Sequence, residues 1–273
     1  MSPTPPRPES ADPAALLVWY IEMGVDEAVE EMPVNRLSSP EANAMPETLV
    51  AAVRESPTPA RTGQIAVAVP ATGETAHAAR ETAKSAKTLD ELRDVLDRFD
   101  GCNLKLTATQ LVFADGNPKA RVMLVGEAPG RDEDIEGRPF VGRSGQLLDR
   151  MLAAIGLDRT SVYIANVVPW RPPGNRTPTP QETAICRPFI GRQIELADPD
   201  FLICLGAAAA KELMNTSEGI LRLRGQWREY DTGTRKIRAM ATLHPAYLLR
   251  QPLQKRHAWR DFLALKAAIE AAS

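Results

Sequence analysis

Apolar residues in the second half of the chain follow two alternating patterns. Short apolar runs predict buried strands at 121–125, 162–168 and 201–205, and a hairpin-like pair at 227–230 and 237–243. Helical spacing of apolar residues lies between and after them, at 144–155, 179–196, 207–214 and 258–271. Alternation of strands and helices predicts a parallel, doubly wound α/β layer structure. Binding sites in such folds lie beyond the carboxyl ends of the strands.

The first part of the chain has a different pattern. Residues 13–31 carry apolar side chains at helical spacing beside acidic ones and predict a short amphipathic helix. Residues 33–75 are rich in Pro, Ala, Ser and Thr, which is typical of a flexible linker. A second helix is predicted from about 75 to 99, with Thr88 capping its better half and Glu91 completing a capping box. We therefore divide the chain into an N-terminal extension, 1–87, and an α/β domain, 88–273.

Composition narrows the class of protein. The 273 residues include 44% apolar and 25% charged residues, as in ordinary soluble domains. A net charge of -2 means that nucleic-acid binding would need a local basic patch. Three widely spaced cysteines suit a reducing compartment. With neither a signal-peptide pattern nor an apolar stretch near the roughly 20 residues of a membrane span, we expect a cytoplasmic protein without a membrane partner.

Four short segments at the loops carry the candidate chemistry. Gly126-Glu127-Ala128-Pro129-Gly130 follows the first strand directly, and its Gly and Pro residues allow a tight turn that approaches a ligand closely. The others are Gly137–Gly142, Asn166–Val168 with the run 171–176, and His244–Arg250. Neither a dinucleotide fingerprint nor a phosphate-binding P-loop is present in the first segment. Taken alone, that segment is equally consistent with a simple strand-to-loop turn.

Three side chains in these segments suit one flat polar ring. Phe140 sits in a Gly/Arg/Pro loop, where it either stacks on a base or fills the core. The Asn166 amide matches one edge of uracil, or else stabilises a loop. His244 follows a strand and precedes Pro245, where an imidazole can donate to a developing oxyanion, or can be structural. These pairs of interpretations stay open for each residue alone.

Basic residues near these segments suggest a phosphate-binding surface, or a solvated basic face. The candidates are Arg171, Arg176 and Arg250. Leu248 and Leu249 precede Arg250 and form either an apolar wedge that enters a duplex or a buried helical turn.

Taken in order, the segments resemble the family-4 branch of the uracil-DNA glycosylase superfamily, over about residues 95–270. The resemblance implies a three-layer αβα sandwich with a central, mainly parallel four-stranded sheet. It implies a monomeric base-excision-repair enzyme that flips uracil out of DNA and hydrolyses its N-glycosidic bond, leaving an abasic site. Uracil-containing DNA is the expected partner, and the helix at 13–31 either binds a protein or folds back on the domain.

The resemblance also implies roles for single residues. Phe140 stacks on uracil, Asn166 reads its polar edge, and His244 stabilises negative charge on the departing base through O2. The segment from Gly126 to Gly130, including Ala128 and Pro129, lines the pocket. Glu133 orders the nucleophilic water or crowds C5 of the base against thymine, and the sequence leaves open whether Glu127 or Glu133 positions the water.

Two departures from the family pattern change the expected chemistry. Ala128 stands where the fastest superfamily members carry an Asp, which favours a dissociative path that depends on leaving-group stabilisation by His244. Family-4 enzymes usually hold a [4Fe–4S] cluster on four cysteines, but Phe99 and Trp170 replace two of them, leaving Cys102 and Cys186. Two thiolates cannot supply four ligands, so we predict no cluster and no other metal or cofactor.

Two other functions remain open. One is a relative that traps uracil-DNA tightly or covalently, which carries Gln at position 128 and a His-containing insertion after the second segment. Ala128 and the absence of an insertion between Gly142 and Leu147 argue against it. The other is a DNA- or nucleotide-binding module that keeps the fold without catalysis.

Overall fold

The computed structural model describes residues 72–272. The amphipathic helix predicted at 13–31 lies outside these residues, and so does nearly all of the linker predicted at 33–75. Among the described residues, no helix is long and apolar enough to cross a membrane.

A six-stranded sheet forms the centre of the described chain. Its strands are β1 (Asp115–Gly116), β2 (Val122–Gly126), β3 (Val162–Asn166), β4 (Phe201–Leu205), β5 (Trp227–Asp231) and β6 (Lys236–Thr242), in the spatial order β1-β3-β2-β4-β6-β5. The four central strands, which are β3, β2, β4 and β6 in spatial order, pair in parallel. Strands β1 and β5 pair antiparallel at the two edges. The predicted parallel sheet of four strands is confirmed, and so is the hairpin-like pair, since β5 covers the strand predicted at 227–230. Edge strand β1 is the one that the sequence did not predict.

Nine helices connect or cover these strands in the described residues. They are α1 (Thr72–Ser85), α2 (Leu89–Arg98), α3 (Arg131–Glu136), α4 (Arg143–Ala153), α5 (Pro180–Ala197), α6 (Ala207–Leu213), α7 (Ile220–Leu223), α8 (Pro245–Arg250) and α9 (Lys255–Ala271). Short 3₁₀ turns occur at Asn103–Leu106, Pro173–Asn175 and Pro252–Gln254. Alternate residues of the parallel strands face two apolar clusters, one under α1, α2, α5 and α6 and the other under α4 and α9. The three-layer αβα arrangement is thereby confirmed.

The prediction of a single helix at about 75–99 is wrong in one respect, because the helix is interrupted between Ser85 and Leu89. Thr88 has extended backbone angles and accepts a hydrogen bond from the Glu91 N–H at 3.1 Å, as a cap does. The Glu91 carboxylate accepts from the Lys87 N–H at 2.6 Å, one residue earlier than the predicted capping box requires. The local capping bonds therefore start a new helix, α2, at Leu89.

Helix α1 contributes to the core although it precedes the predicted boundary at residue 88. Its Ala79 and Ala83 are buried in the same cluster as Ile185 and Phe189 of α5. Small side chains at four-residue spacing let two helices approach closely. The division at 87/88 mainly concerns residues outside the described range and stays a prediction.

Trp170 is the largest side chain in the fully buried part of the domain. It is 2% exposed and belongs to the cluster that also contains Cys102 and Cys186. The ring fills a volume in this cluster that no smaller residue would fill. Close packing of this kind stabilises a fold because a void forfeits both burial and dispersion contacts.

We predict that Trp170→Ala lowers the free energy of unfolding by about 3–5 kcal/mol, measured by urea denaturation. Trp259→Ala is the matched control, because Trp259 is 44% exposed on α9. A Trp170 variant that unfolds at the same urea concentration as the Trp259 variant would contradict this assignment.

Candidate active site

The ends of β2 and β3 form the floor of the site. Gly126 and Asn166 are register partners in the parallel ladder, and the Val167 N–H continues the pairing to the Gly126 carbonyl at 2.9 Å. A Cβ atom on Gly126 would lie 2.5 Å from Asn166 Oδ1 and 2.6 Å from Phe140 Cζ. Glycine is therefore required here, because it lets the amide and the aromatic ring lie directly against the strand end.

A cavity of about 210 Å³ opens above this floor. Its lining includes the sequence-predicted residues Glu127, Ala128, Pro129, Gly130, Glu133, Phe140, Asn166, Arg176 and His244. The structure thus brings together side chains that the sequence separates by more than a hundred positions. It adds lining residues that the sequence did not single out, namely Ser144, Pro172, Asn175, Thr177, Pro178 and Ala246. Several of these residues belong to the segment 171–180, whose sequence motif was the one signal that could have identified them as part of the site.

Asn166 presents an unused acceptor to the cavity. Its side chain is 5% exposed, and its Oδ1 is buried without a hydrogen-bond partner among the described residues. Leaving a buried amide oxygen unpaired costs about 1–3 kcal/mol. Such an atom is suited to accept a ring N–H, while the amide NH₂ donates to a neighbouring carbonyl.

Phe140 forms one wall of the cavity. The residue has a φ of 57°, in the left-handed region that bulky side chains rarely adopt. Its ring is 5% exposed and lies 5.6 Å from the His244 ring, measured between centroids, with 33° between the planes. An aromatic face and an imidazole therefore line the same small volume.

His244 is held as a neutral imidazole. It caps α8, and its Nδ1 accepts a hydrogen bond from the Ala246 N–H at 3.1 Å, so the proton of the neutral ring is on Nε2. Burial, together with the positive charge of Arg250, lowers its pKa from 6.5 to about 4. Gly206, at φ 93°, makes room, because a Cβ there would lie 2.9 Å from His244 Cβ. The ring is a fixed N–H donor at neutral pH.

The two glutamates of the site have different surroundings. Glu133 accepts three backbone hydrogen bonds at 3.0 Å, from Gly130 to Oε2 and from Val141 and Gly142 to Oε1. Its carboxylate therefore ties the first segment to the loop that carries Phe140. Glu127 is half-buried, and that burial raises the pKa of its carboxyl above the usual value. These contacts favour a structural role for Glu133, and the catalytic role predicted for it stays a prediction.

Two of the three predicted DNA-contacting arginines, Arg171 and Arg176, already have partners within the chain. The Arg176 guanidinium binds both carboxylate oxygens of Glu182, at 2.7 and 2.8 Å. Arg171 Nε donates to Asn175 Oδ1 at 2.7 Å. Each ties down the loop beside the cavity, and Arg176 also lines it. Arg250 is exposed at the end of α8.

Of the two interpretations of Leu248 and Leu249, an apolar wedge or a buried helical turn, Leu248 fits the second. Leu248 is 1% exposed and packs with Leu147, Leu243 and Ala258, so it cannot enter a duplex from this position. Leu249 is 36% exposed. The helical spacing of α8 turns the two neighbouring leucines to different sides, which leaves Leu249 and Arg250 as the surface pair.

The cysteines do not fit a four-cysteine cluster. Cys102 Sγ and Cys186 Sγ are 3.9 Å apart in the apolar core. Trp170 belongs to the same group of buried apolar residues. Burial raises the pKa of Cys204, on β4, to about 12, which suits a core thiol. Within residues 72–272, no group of three or more His, Cys, Asp or Glu residues is arranged to hold a metal ion.

Comparisons with a family model and with known proteins point to the same family. The model of the uracil DNA glycosylase superfamily matches residues 113–263. The type-4 uracil-DNA glycosylase of Archaeoglobus fulgidus is 41% identical over 180 residues, 64% of this chain and 90% of the relative. That of Thermotoga maritima is 42% identical over 168 residues, 60% of this chain and 86% of the relative.

We predict that His244 stays neutral down to a pH of about 4, with its proton on Nε2. Its pKa is depressed in the folded state, so the unfolded chain takes up the proton first and stability falls as the pH drops from 6.5 through about 4. Nitrogen chemical shifts of the labelled imidazole test this, with His244→Asn to assign the signal. A midpoint at or above 6.5, or a proton on Nδ1, would contradict the geometry.

Proposed function

The chain belongs to the uracil DNA glycosylase superfamily, and we propose that it is a uracil-DNA glycosylase that releases uracil from DNA and leaves an abasic site. The observation that carries the proposal is the cavity in which Asn166, Phe140 and His244 meet. A base inside a duplex cannot reach such a cavity. The target nucleotide must therefore leave the stack before it reacts.

Recognition of the base rests on Asn166 and Phe140. The unpaired Asn166 Oδ1 accepts the N3–H of uracil, and the amide NH₂ donates to O4. Cytosine reverses this pattern of donors and acceptors, so it leaves the buried amide unsatisfied. The Phe140 ring supplies a face on which a flat base stacks, without regard to its edge.

His244 stabilises the leaving group. When the bond between the sugar C1′ and the base N1 breaks, both electrons leave with uracil, and its negative charge spreads to O2. A fixed Nε2–H aimed at that oxygen stabilises the charge in the transition state without transferring a proton. The sugar cation then takes up water at C1′, and the proton that this water loses passes through solvent to the departed uracil anion.

A general base contributes less in this scheme than in superfamily members with an Asp at the first segment. Ala128 lines the cavity at that place and has no titratable group. Glu127 also lines it, and its carboxyl is the better candidate to orient the water, since three backbone N–H groups already engage Glu133. Late capture of the cation requires an oriented water more than a strong base.

Two alternatives are distinguished by their products. A covalent trap needs a nucleophile and a loop to carry it, but α4 begins at Arg143, directly after the Phe140 loop. A non-catalytic binding module would bind uracil-DNA and release nothing. Strand cleavage at uracil after alkali supports the glycosylase, while a complex that survives denaturing electrophoresis supports the trap.

We also propose that the folded domain is stable without an iron–sulfur cluster. Four thiolates are needed, and the family positions carry two, Cys102 and Cys186. Phe99 packs against Phe189 with ring centroids 5.0 Å apart, and Trp170 is buried nearby in the same core. Packing of two aromatic rings then stabilises the region that metal ligation holds in relatives with four cysteines.

DNA contact is assigned to the surface that carries Leu249, Arg250 and the loop 171–176. The monomeric state, the cytoplasmic location and a protein partner for residues 13–31 stay predictions.

We predict that His244→Ala lowers the single-turnover rate of uracil release by about 100-fold or more, because it removes a donor to the leaving base. Glu127→Gln should cost less, since water capture follows bond breakage. His77→Ala is the control, because His77 is exposed on α1. Comparable rates for His244→Ala and wild type would sink the assignment of His244.

We also predict that protein purified without oxygen holds far less than one iron atom per chain and lacks the broad absorbance near about 400 nm typical of thiolate-bound iron. A type-4 relative with four cysteines, purified in parallel, controls for loss of the cluster. A brown protein with about four irons per chain would refute the proposal.

A further inference from the structure

The backbone of Phe140 adopts a conformation that its own side chain disfavours. At φ 57° the Cβ of a non-glycine residue crowds its own backbone, and this strain persists only when surrounding contacts hold it. Relaxing this φ would turn the peptide between Pro139 and Phe140, and the accompanying change in ψ would turn the next peptide. Both changes would move the ring relative to the cavity, so something must hold this part of the loop.

Arg159 holds it. This residue lies in the loop between α4 and β3, and its Nη2 donates to the Phe140 carbonyl. Its Nη1 donates to the Pro139 carbonyl at 3.1 Å. One planar guanidinium thus fixes two successive carbonyls of the loop, a geometry that the rigid fork of arginine provides and a lysine ammonium does not.

The guanidinium is itself anchored from two sides. Nη1 reaches Asp115 Oδ2 in edge strand β1 at 2.6 Å, and Nε reaches Asp149 Oδ1 in α4 at 2.8 Å. The Arg159 side chain is 23% exposed. Since most of its donors have partners, the arginine has little freedom to release the loop.

Gly145 completes the arrangement on the other side of the carbonyl. A Cβ there would lie 1.6 Å from the Phe140 oxygen, so only glycine allows the first turn of α4 to pass so close. The Phe140 carbonyl is therefore confined between a helix and an arginine.

From these contacts we propose that Arg159 is a positioning residue for base binding, acting through the Phe140 ring. The inference rests on the proposed function, since it assigns Phe140 to the stacked base. Loss of Arg159 releases the strained loop, so the ring no longer lies over Gly126. The effect on uracil release should then exist only while an aromatic ring is present at position 140.

A double-mutant cycle tests this dependence. Uracil release is measured at substrate concentrations below KM, which gives kcat/KM, for wild type, Arg159→Ala, Phe140→Ala and the double variant. Arg159→Ala should lower kcat/KM by about 10- to 100-fold in the wild-type background. The same substitution should lower kcat/KM by less than about threefold in the Phe140→Ala background.

Arg192→Ala is the matched control. Arg192 also binds a backbone carbonyl, that of Ala86 at 2.7 and 3.0 Å, and pairs with Glu195, with 20% of its side chain exposed. Because it lies on α5 at the opposite layer, its loss should leave kcat/KM within about twofold of wild type. Arg159→Lys is measured in both backgrounds as well and replaces Arg159→Ala if that variant does not fold. It keeps a charge for the two aspartates but lacks the fork.

Each outcome decides the matter. A loss of activity that occurs in the wild-type background but not in the Phe140→Ala background supports the inference. Equal losses in both backgrounds, or no loss in either, overturn it and leave the proposed function standing. A wild type that releases no uracil overturns the proposed function, and this inference falls with it.

Discussion

The parallel pairing of Gly126 with Asn166 is the constraint on which the site depends. This register brings the turn after β2 and the amide at the end of β3 to one edge of the sheet. The missing side chain of Gly126 leaves the space that the Phe140 ring and the amide share. Glu133 and Arg159 then hold the Phe140 loop against this edge by hydrogen bonds to backbone groups. The pocket is built mainly by backbone geometry, and few side chains are left free for chemistry.

The electrostatics of the pocket suit a leaving group that departs as an anion. A charged imidazole would lose part of its hydration in this half-buried position and would face the positive charge of Arg250, and both effects lower the pKa of His244 to about 4. The ring instead offers a neutral donor whose direction is fixed by the Ala246 N–H. A preorganised donor needs no reorientation as the charge develops. In the proposed mechanism, this donor compensates for Ala128, whose side chain has no titratable group.

Sequence patterns anticipated the parts of the structure that depend on local order. The strand at 201–205 has the predicted bounds, and three of the four motif segments lie at or after strand ends, so the parallel sheet brings them together. Other features depend on contacts between distant residues. Edge strand β1 has two residues and no periodicity, and the partners of Arg159 lie on β1, on α4 and in the Phe140 loop. The burial of Leu248 follows from the packing of α8, which its apolar neighbours alone did not reveal.

The most direct test of this account is a crystal structure with uracil bound in the cavity. The account predicts that the base stacks on Phe140, with Asn166 Oδ1 and uracil N3 about 2.9 Å apart and His244 Nε2 within hydrogen-bond distance of O2. Uracil bound outside this cavity would contradict the central claim. So would uracil inside it with the Asn166 amide unpaired or with His244 turned away from O2.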